Sequence, residues 1–439
     1  MNRLILSLLL CASYLSCLSA YHADPKRIYI PEDLRAMNLD ADTSQWSFAR
    51  SVETRDLIFF WERGFGNDLQ NPPQLDGHPM SFNLSVLTDR VQSFYTFFRD
   101  TLGWIAPPSA PKETALKTIE APSGAVGGGF SKADAYKMMV MIMYSLDGTA
   151  YGGTYDNFIG ALWVAPNRIQ DKTMNCMAHE LGHSFQSQIM ADSVGECWGG
   201  TGFFEMTSQW MLWQVNPWWL RDENYHFEAF KQLTHKAFLH MENIYHSPYV
   251  IQWWSDLHGR QSIAELFRQG RIGEDPVITY KRVNNLTQSQ FCDEMLRGYQ
   301  HLVNFDFRHA RQETRPYACT WTCPLDTLPG GWLRPKNLPE DYGFNIIPLP
   351  TLAADGLPVT RLQLQGDNLR YAFVGITTDG ESLYGDINAN TFRCPKDKQL
   401  NRLFLVVMGA PATHSSLFSP HHSPLTPPPS PFTYKFKLR

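Results

Sequence analysis

The sequence predicts an α+β protein: a first domain of mixed sheet and helix with a helical subdomain, then a C-terminal β-sandwich. Three observations carry this. Up to about residue 190, apolar runs and amphipathic segments follow one another as strand, helix, strand, strand, helix. The stretch about 203–310 keeps apolar residues at helical spacing and is dense in Trp and His. From about 346 the pattern shifts to period two, the alternation of half-buried strands. Of the 439 residues 43% are hydrophobic and 18% charged, which supplies sizeable cores and excludes a largely disordered chain. A formal net charge of -5 lacks the basic excess of a nucleic-acid binder, so no nucleic acid is expected as partner.

Residues 1–20 read as a signal peptide. Arg3 supplies a basic start, Leu4 to Leu10 an apolar run, and small residues lead to Ala20. Cleavage there makes the mature chain secreted, extracellular or periplasmic. The alternative is a lipid anchor at Cys17, behind the imperfect lipobox Tyr14-Leu15-Ser16, which makes an outer-surface lipoprotein. No later stretch reaches the roughly 18 uninterrupted apolar residues of a membrane span. A monomer is expected.

Residues 21–50 form a polar, irregular N-terminal segment, and the first domain spans 51–320. Asp56 to Glu62 (DLIFFWE), closed by Gly64 and Gly66, reads as a buried strand. Leu87, Val91, Phe94, Phe98 and Leu102 fall three and four apart, an amphipathic helix. Residues 105–131, rich in Pro, Ala, Gly and Ser, read as loop. Lys137 to Ser145 is a second strand. Gly148–Gly153 reads as a Gly-rich turn, Phe158–Val164 as a third strand ended by Pro166, and Asp171 as the start of a helix running through His179 and His183. The helical subdomain covers about 203–310. Six prolines from Pro324 to Pro350, with Gly330-Gly331, suggest a linker over 321–345. In the sandwich, 346–439, strands are expected at Val359–Leu364, Arg370–Ile376, Leu403–Met408 and Phe432–Leu438. Residues 419–431 read as a low-complexity loop holding a solvated His421 and His422. The six cysteines beyond the signal are expected as buried thiols or as one or two disulfides; Cys176 with Cys197 is one pairing considered. Asn83 and Asn285 open glycosylation sequons.

The chemistry lies in His179-Glu180-Leu181-Gly182-His183. On a helix, histidines four apart share one face, one turn apart, and can bind one Zn²⁺ ion. Glu180 beside them can take a proton from a zinc-bound water. The composition predicts about 0.02 accidental HExxH matches, so two ordinary helical histidines are the weaker reading. A zinc site needs a third protein ligand. The metzincin extension fails, because Gln186 and Ile189 stand where its glycine and histidine belong. Glu205 lies 22 residues past His183, at the head of a segment whose apolar Met206, Trp210 and Trp213 recur at helical spacing. Its rival, Glu196, sits in a Gly-rich loop, and a helix holds a ligand more precisely than a loop. Thr207, Ser208 or Gln209 can then hydrogen-bond a His ring from behind.

With these motifs on the page, the sequence resembles the gluzincin (HExxH…E) zinc metallopeptidases. WERGFG, YGGTYDNFIGALWVAPNR, HELGHSFQ, FFEMTSQWMLWQVNP and NIYHSPYV resemble, more closely, a family of secreted, uncharacterised bacterial zincin-like proteins. The likeness covers roughly 25–439; the Pro-Ser stretch 419–431 departs from it as an insertion. It implies a zincin-like catalytic domain with Zn²⁺ on His179, His183 and Glu205. It also implies a strand before the metal helix that pairs with an extended peptide at the cleft edge, a place Phe158–Val164 takes. Tyr245, His246 and Tyr249 are the candidate catalytic donors to a developing oxyanion; the competing reading packs them in the helical core. The expected function is a zinc metallopeptidase hydrolysing protein or glycoprotein substrates, with Glu180 as general base. The alternative is a non-catalytic surface protein that keeps the zincin scaffold and binds a glycan or host protein through Trp210, Trp213, Trp218, Trp219, Trp253 and Trp254.

Overall fold

The computed structural model describes residues 25–105, 131–148, 150–350, 359–415 and 430–438. The segment expected as a signal peptide, with Cys17, most of the 105–131 stretch expected as loop, and His421 and His422 lie outside the described residues. The architecture is α+β: a mixed sheet, a helical region, then two antiparallel sheets.

The first sheet holds β1 (Ser51–Glu53), β2 (Leu57–Trp61), β3 (Met138–Ile142), β4 (Tyr151–Tyr155) and β5 (Ile159–Val164), in the order β1-β2-β3-β5-β4. Strands β2, β3 and β5 are parallel, and β2 and β3 are buried along their whole length, which is why they read as unbroken apolar runs. The helix Leu84–Asp100 is capped by the Asn83 side chain on the Val86 amide and buries Leu87, Val91, Phe94 and Phe98. Two expectations are corrected here. The Gly-rich stretch 148–153 is not only a turn: its second half enters β4, paired antiparallel to β5 from Tyr151↔Trp163 to Tyr155↔Ile159. Glycine gives a strand little local propensity, so this element depends on its partner. The edge strand of the sheet on this side is therefore β4, while Ile159–Val164 is interior. The metal helix begins at Asn175, not Asp171, behind a separate short turn at Pro166–Ile169.

The metal helix (Asn175–Ala191) packs over this sheet on β4 and β5, and the glutamate helix (Gly202–Val215) packs against the metal helix. Further helices follow at Asn224–Leu233, Tyr249–His258, Ser262–Gln269, Pro276–Val283 and Gln288–Val303. Trp210, Trp213, Trp219 and Trp254 are fully buried in this region, so they offer no face to a glycan. Among the described residues, no helix is long and apolar enough to cross a membrane.

The expected linker is structured. Leu325–Leu328 (β6) and Trp332–Pro335 (β7) form a hairpin, with Gly330 and Gly331 at its tip, both at positive φ. Its prolines stand at strand ends and in the turn, where no ladder N–H is needed. One sheet runs β12 (Thr391–Arg393), β9 (Val359–Gly366), β14 (Tyr434–Leu438), β7, β6; the other runs β11 (Ser382–Tyr384), β10 (Leu369–Thr377), β13 (Leu400–Gly409), β8 (Phe344–Leu349). Ile347, Phe373, Leu405 and Val407 face Phe392, Tyr434 and Phe436 between the sheets. Alternate residues of the same strands, Phe344, Ile346, Val374, Phe404 and Val406, join the helical core instead. The second sheet is thus buried on both faces, which corrects the expectation of strands burying one face each. The six cysteines from Cys176 to Cys394 are all free thiols, so the disulfide alternative is not realised.

Candidate metal centre

One turn of helix brings the His179 and His183 Nε2 atoms to 3.0 Å from each other. Glu205 enters from the neighbouring helix. Its Oε2 stands 3.1 Å from His179 Nε2 and 3.0 Å from His183 Nε2. The close approach depends on the glycine inside the motif: a Cβ on Gly182 would lie 2.4 Å from Ser208 Oγ. Ser208 Oγ in turn donates to the His179 carbonyl and ties the two helices together.

Two glutamines set the ring tautomers. Gln209 gives its amide N–H to the Tyr245 carbonyl at 3.0 Å, which turns its Oε1 onto His179 Nδ1 at 2.7 Å. Gln186 gives its N–H to the Phe204 carbonyl at 2.9 Å and presents Oε1 to His183 Nδ1 at 2.8 Å. Each ring therefore donates from Nδ1 and carries a lone pair on Nε2. The His183 ring also stacks on Phe204, centroids 4.1 Å apart. Two lone pairs and a carboxylate oxygen thus converge on one point, an arrangement that repels itself unless a cation sits there. Ligand atoms of a tetrahedral Zn²⁺, bonded at about 2.0–2.1 Å, stand about 3.3–3.4 Å apart. The present triangle is a few tenths of an ångström tighter, so the donor set fits such an ion after a small spread. Glu196 is not at this point. Its Oε1 accepts from the backbone N–H groups of Cys197 and Trp198, both at 3.0 Å.

Glu180 is one residue on from His179 and points beside the triangle. Burial lifts its carboxyl to about 7, helped by the Glu205 charge and opposed by His179 and a hydrogen bond from the Gly152 amide. Gly152 belongs to β4, which presses on the metal helix: a Cβ there would lie 1.9 Å from the Glu180 carbonyl oxygen. A Cβ on Gly153 would meet nothing within 4 Å.

The three oxyanion candidates part company. Tyr245 is 44% exposed, tilts over the His179 ring at 6.1 Å, and donates its hydroxyl to Glu205. Burial and the Glu205 and Glu180 charges push that hydroxyl up to about 12. His246 Nδ1 lies 2.7 Å from His226 Nδ1, so the two rings share one proton. Burial lowers both, His226 to about 3. Tyr249 does not belong to the site. It is 2% exposed, and its ring packs on Trp213, Phe227, Phe230 and Phe305. Cys176 is an inert thiol, pushed up to about 12 by burial and by the Glu180 charge.

Sequence reasoning named Gln209 but missed Gln186, Gly152, His226 and Glu223, whose carboxylate is 3.8 Å from His226 Nε2. Gln186 had a local signal, three residues past His183 on the same helix face. The others meet the site only through long-range packing.

A family model described as "Family of unknown function (DUF6055)" matches residues 20–439. No curated protein matches the chain.

Proposed function

The chain belongs to that family of unknown function, and from its metal centre we propose that it is a secreted zinc metallopeptidase acting on protein or glycoprotein chains. The observation that carries this is the convergence of His179 Nε2, His183 Nε2 and Glu205 Oε2 within 3.1 Å of one another, beside the half-buried Glu180 carboxylate, which desolvation pushes up to about 7. A Zn²⁺ ion held by these three would supply Lewis acidity to a carbonyl and lower the pKa of water towards about 7.

The chain's own residues do the rest. Glu180 takes a proton from the attacking water as its oxygen bonds to the peptide carbonyl carbon. It then returns that proton to the departing amine nitrogen as the C–N bond breaks. A pKa near the working pH suits both halves of this task, and the positive charge of a bound ion shifts Glu180 towards the ionised form. The Gly152 amide holds the Glu180 carboxylate in place. Tyr245, exposed beside Glu205, is the donor best placed for the developing oxyanion; His246, backed by His226, is the second. An extended substrate backbone pairs with the free edge of β4, which runs across the metal helix. Release after Ala20, or a lipid anchor at Cys17, belongs to the same proposal. The scaffold-only binding reading is left with the exposed Trp218 and the half-buried Trp253 as stacking faces, because the other four of its six tryptophans are fully buried.

The test is a peptide-library digest with metal analysis, comparing wild type with Glu180→Gln. Cleavage by the zinc-loaded wild type and not by the zinc-loaded variant supports the proposal. Cleavage by both at one rate removes Glu180 from the mechanism, and absence of bound zinc from both removes the metal centre.

A further inference from the structure

Away from the metal centre, a second cavity of about 730 Å³ opens where the helical region meets the second sheet, and it shares no residue with the site above. Its volume lies within the usual range of small-molecule sites. Three arginines from separate elements line it: Arg311 in the short helix Arg311–Thr314, Arg315 in the turn that follows, and Arg402 on β13. Two acids line it as well, and both are already engaged. Asp306 pairs with Arg311 and accepts the Tyr384 hydroxyl at 2.7 Å; Glu381 pairs with Lys398.

That leaves Arg315 and Arg402 as uncommitted charge. Arg402 uses one N–H on the Cys319 carbonyl at 2.8 Å, which orients its guanidinium and leaves other donors free. Arg315 has no hydrogen-bond or ion-pair partner among the described residues and is exposed. Around them stand neutral groups that both give and take hydrogen bonds. Gln312 and Asn401 are exposed side-chain amides without a side-chain partner among the described residues. Asn304 is fixed by its N–H bonds to the Gly380 carbonyl and Ser382 Oγ. The one aromatic residue among the lining groups, Phe305, is buried at 1% exposure, so recognition here runs through charge and hydrogen bonds rather than ring stacking.

We propose that this cavity is a binding site for an acidic saccharide, with the carboxylate on Arg315 and Arg402 and the sugar hydroxyls on Gln312 and Asn401. A planar guanidinium matches a carboxylate in two parallel bonds, and side-chain amides match the mixed donor and acceptor character of hydroxyls. The volume takes a sugar unit or two rather than a bare ion. The site does not depend on the peptidase reading: it would serve equally to seat a glycoprotein substrate or to hold the protein on a polysaccharide.

The experiment is calorimetric titration of the full chain in EDTA, which keeps the metal centre out of the measurement. The probes are a disaccharide ending in glucuronic acid, its neutral glucose counterpart, and inorganic phosphate. The acidic disaccharide should bind one to one, and the neutral one at least about tenfold more weakly. Arg315→Gln, which breaks no bond within the described chain, should cost about tenfold, and Arg402→Gln a similar factor, each checked for an unchanged unfolding curve. No binding of the acidic disaccharide, equal binding of both sugars, or unchanged affinity in Arg315→Gln overturns the proposal. Phosphate binding as tightly as the acidic disaccharide overturns its saccharide part and leaves a bare oxyanion site.

Discussion

Gly152→Ala tests how the site is built, because at this residue the edge strand and the metal helix are in closest contact. An added Cβ would stand 1.9 Å from the Glu180 carbonyl oxygen and 2.7 Å from His183 Cβ. Ordinary contact begins at 3.4 Å, so something must move by more than an ångström. Neither neighbour is the far end of a flexible side chain, and no rotamer change gives way. Either β4 lifts from β5, losing part of the ladder from Tyr151↔Trp163 to Tyr155↔Ile159, or the metal helix is displaced and carries His183 with it. Overpacking of this kind costs up to about 3 kcal/mol. For a domain of this size that lowers Tm by roughly 6–12 °C. Gly153→Ala is the control, since its Cβ meets nothing within 4 Å; it should stay within about 0.5 kcal/mol of wild type. Thermal unfolding and zinc competition against a chelator read both consequences, and Gly152→Ala should weaken zinc binding by about tenfold or more, the loss expected when ligand-supporting groups are disturbed. Equal Tm and equal zinc affinity in the two variants would refute the claim that β4 props the metal helix.

Glu180→Gln should keep its zinc and lose about 10²–10⁴ in turnover, measured on any peptide the wild type cleaves. Glu205→Ala should lose zinc on dialysis while Glu196→Ala keeps it, because Glu196 is spent on two loop amides; metal analysis of both proteins decides. In EDTA the apo-protein should lose stability as pH rises from 4.5 to about 7. The folded Glu180 carboxyl is raised above its unfolded value, so its favourable, protonated contribution is present below 4.5 and gone above 7. The loss is at most about 3 kcal/mol, and urea titrations of Glu180→Gln should be flatter over the same window. A chain ending near Pro339 should fail to fold as a soluble monomer, since it strips Phe344, Ile346, Phe404 and Val406 from the helical core; a cooperative unfolding curve from such a chain would contradict this.

Sequence alone determined the parts of this protein that depend on short-range geometry. Two histidines four apart, and the acid between them, need nothing more than a helix to share a face, and the helix Asn175–Ala191 provides it. The choice of Glu205 over Glu196 also followed from local reasoning, helix against loop, and Gln209 fell into reach because it lies one turn beyond Glu205. Period-two and period-3.6 patterns located β2, β3, β5, β9, β10, β13 and β14 and the helices Leu84–Asp100 and Asn175–Ala191 within a few residues. Tertiary structure decided the rest, for identifiable reasons. The Gly-rich stretch 148–153 has no strand propensity of its own, and β5 recruits its second half as the edge of the sheet. Tyr245 and Tyr249 lie four residues apart and are equivalent on paper; one faces the ligands and the other fills an aromatic core, because Trp213, Phe227 and Phe230 arrive around it from other helices. His226 meets His246 across 20 residues of chain, a contact no periodicity encodes. The proline-studded segment 321–345 breaks regular patterns, yet it forms a hairpin once β14 supplies its neighbour, more than ninety residues later. Helical spacing is written in consecutive residues, while edges, partners and burial are properties of surfaces that exist only after the chain has closed on itself.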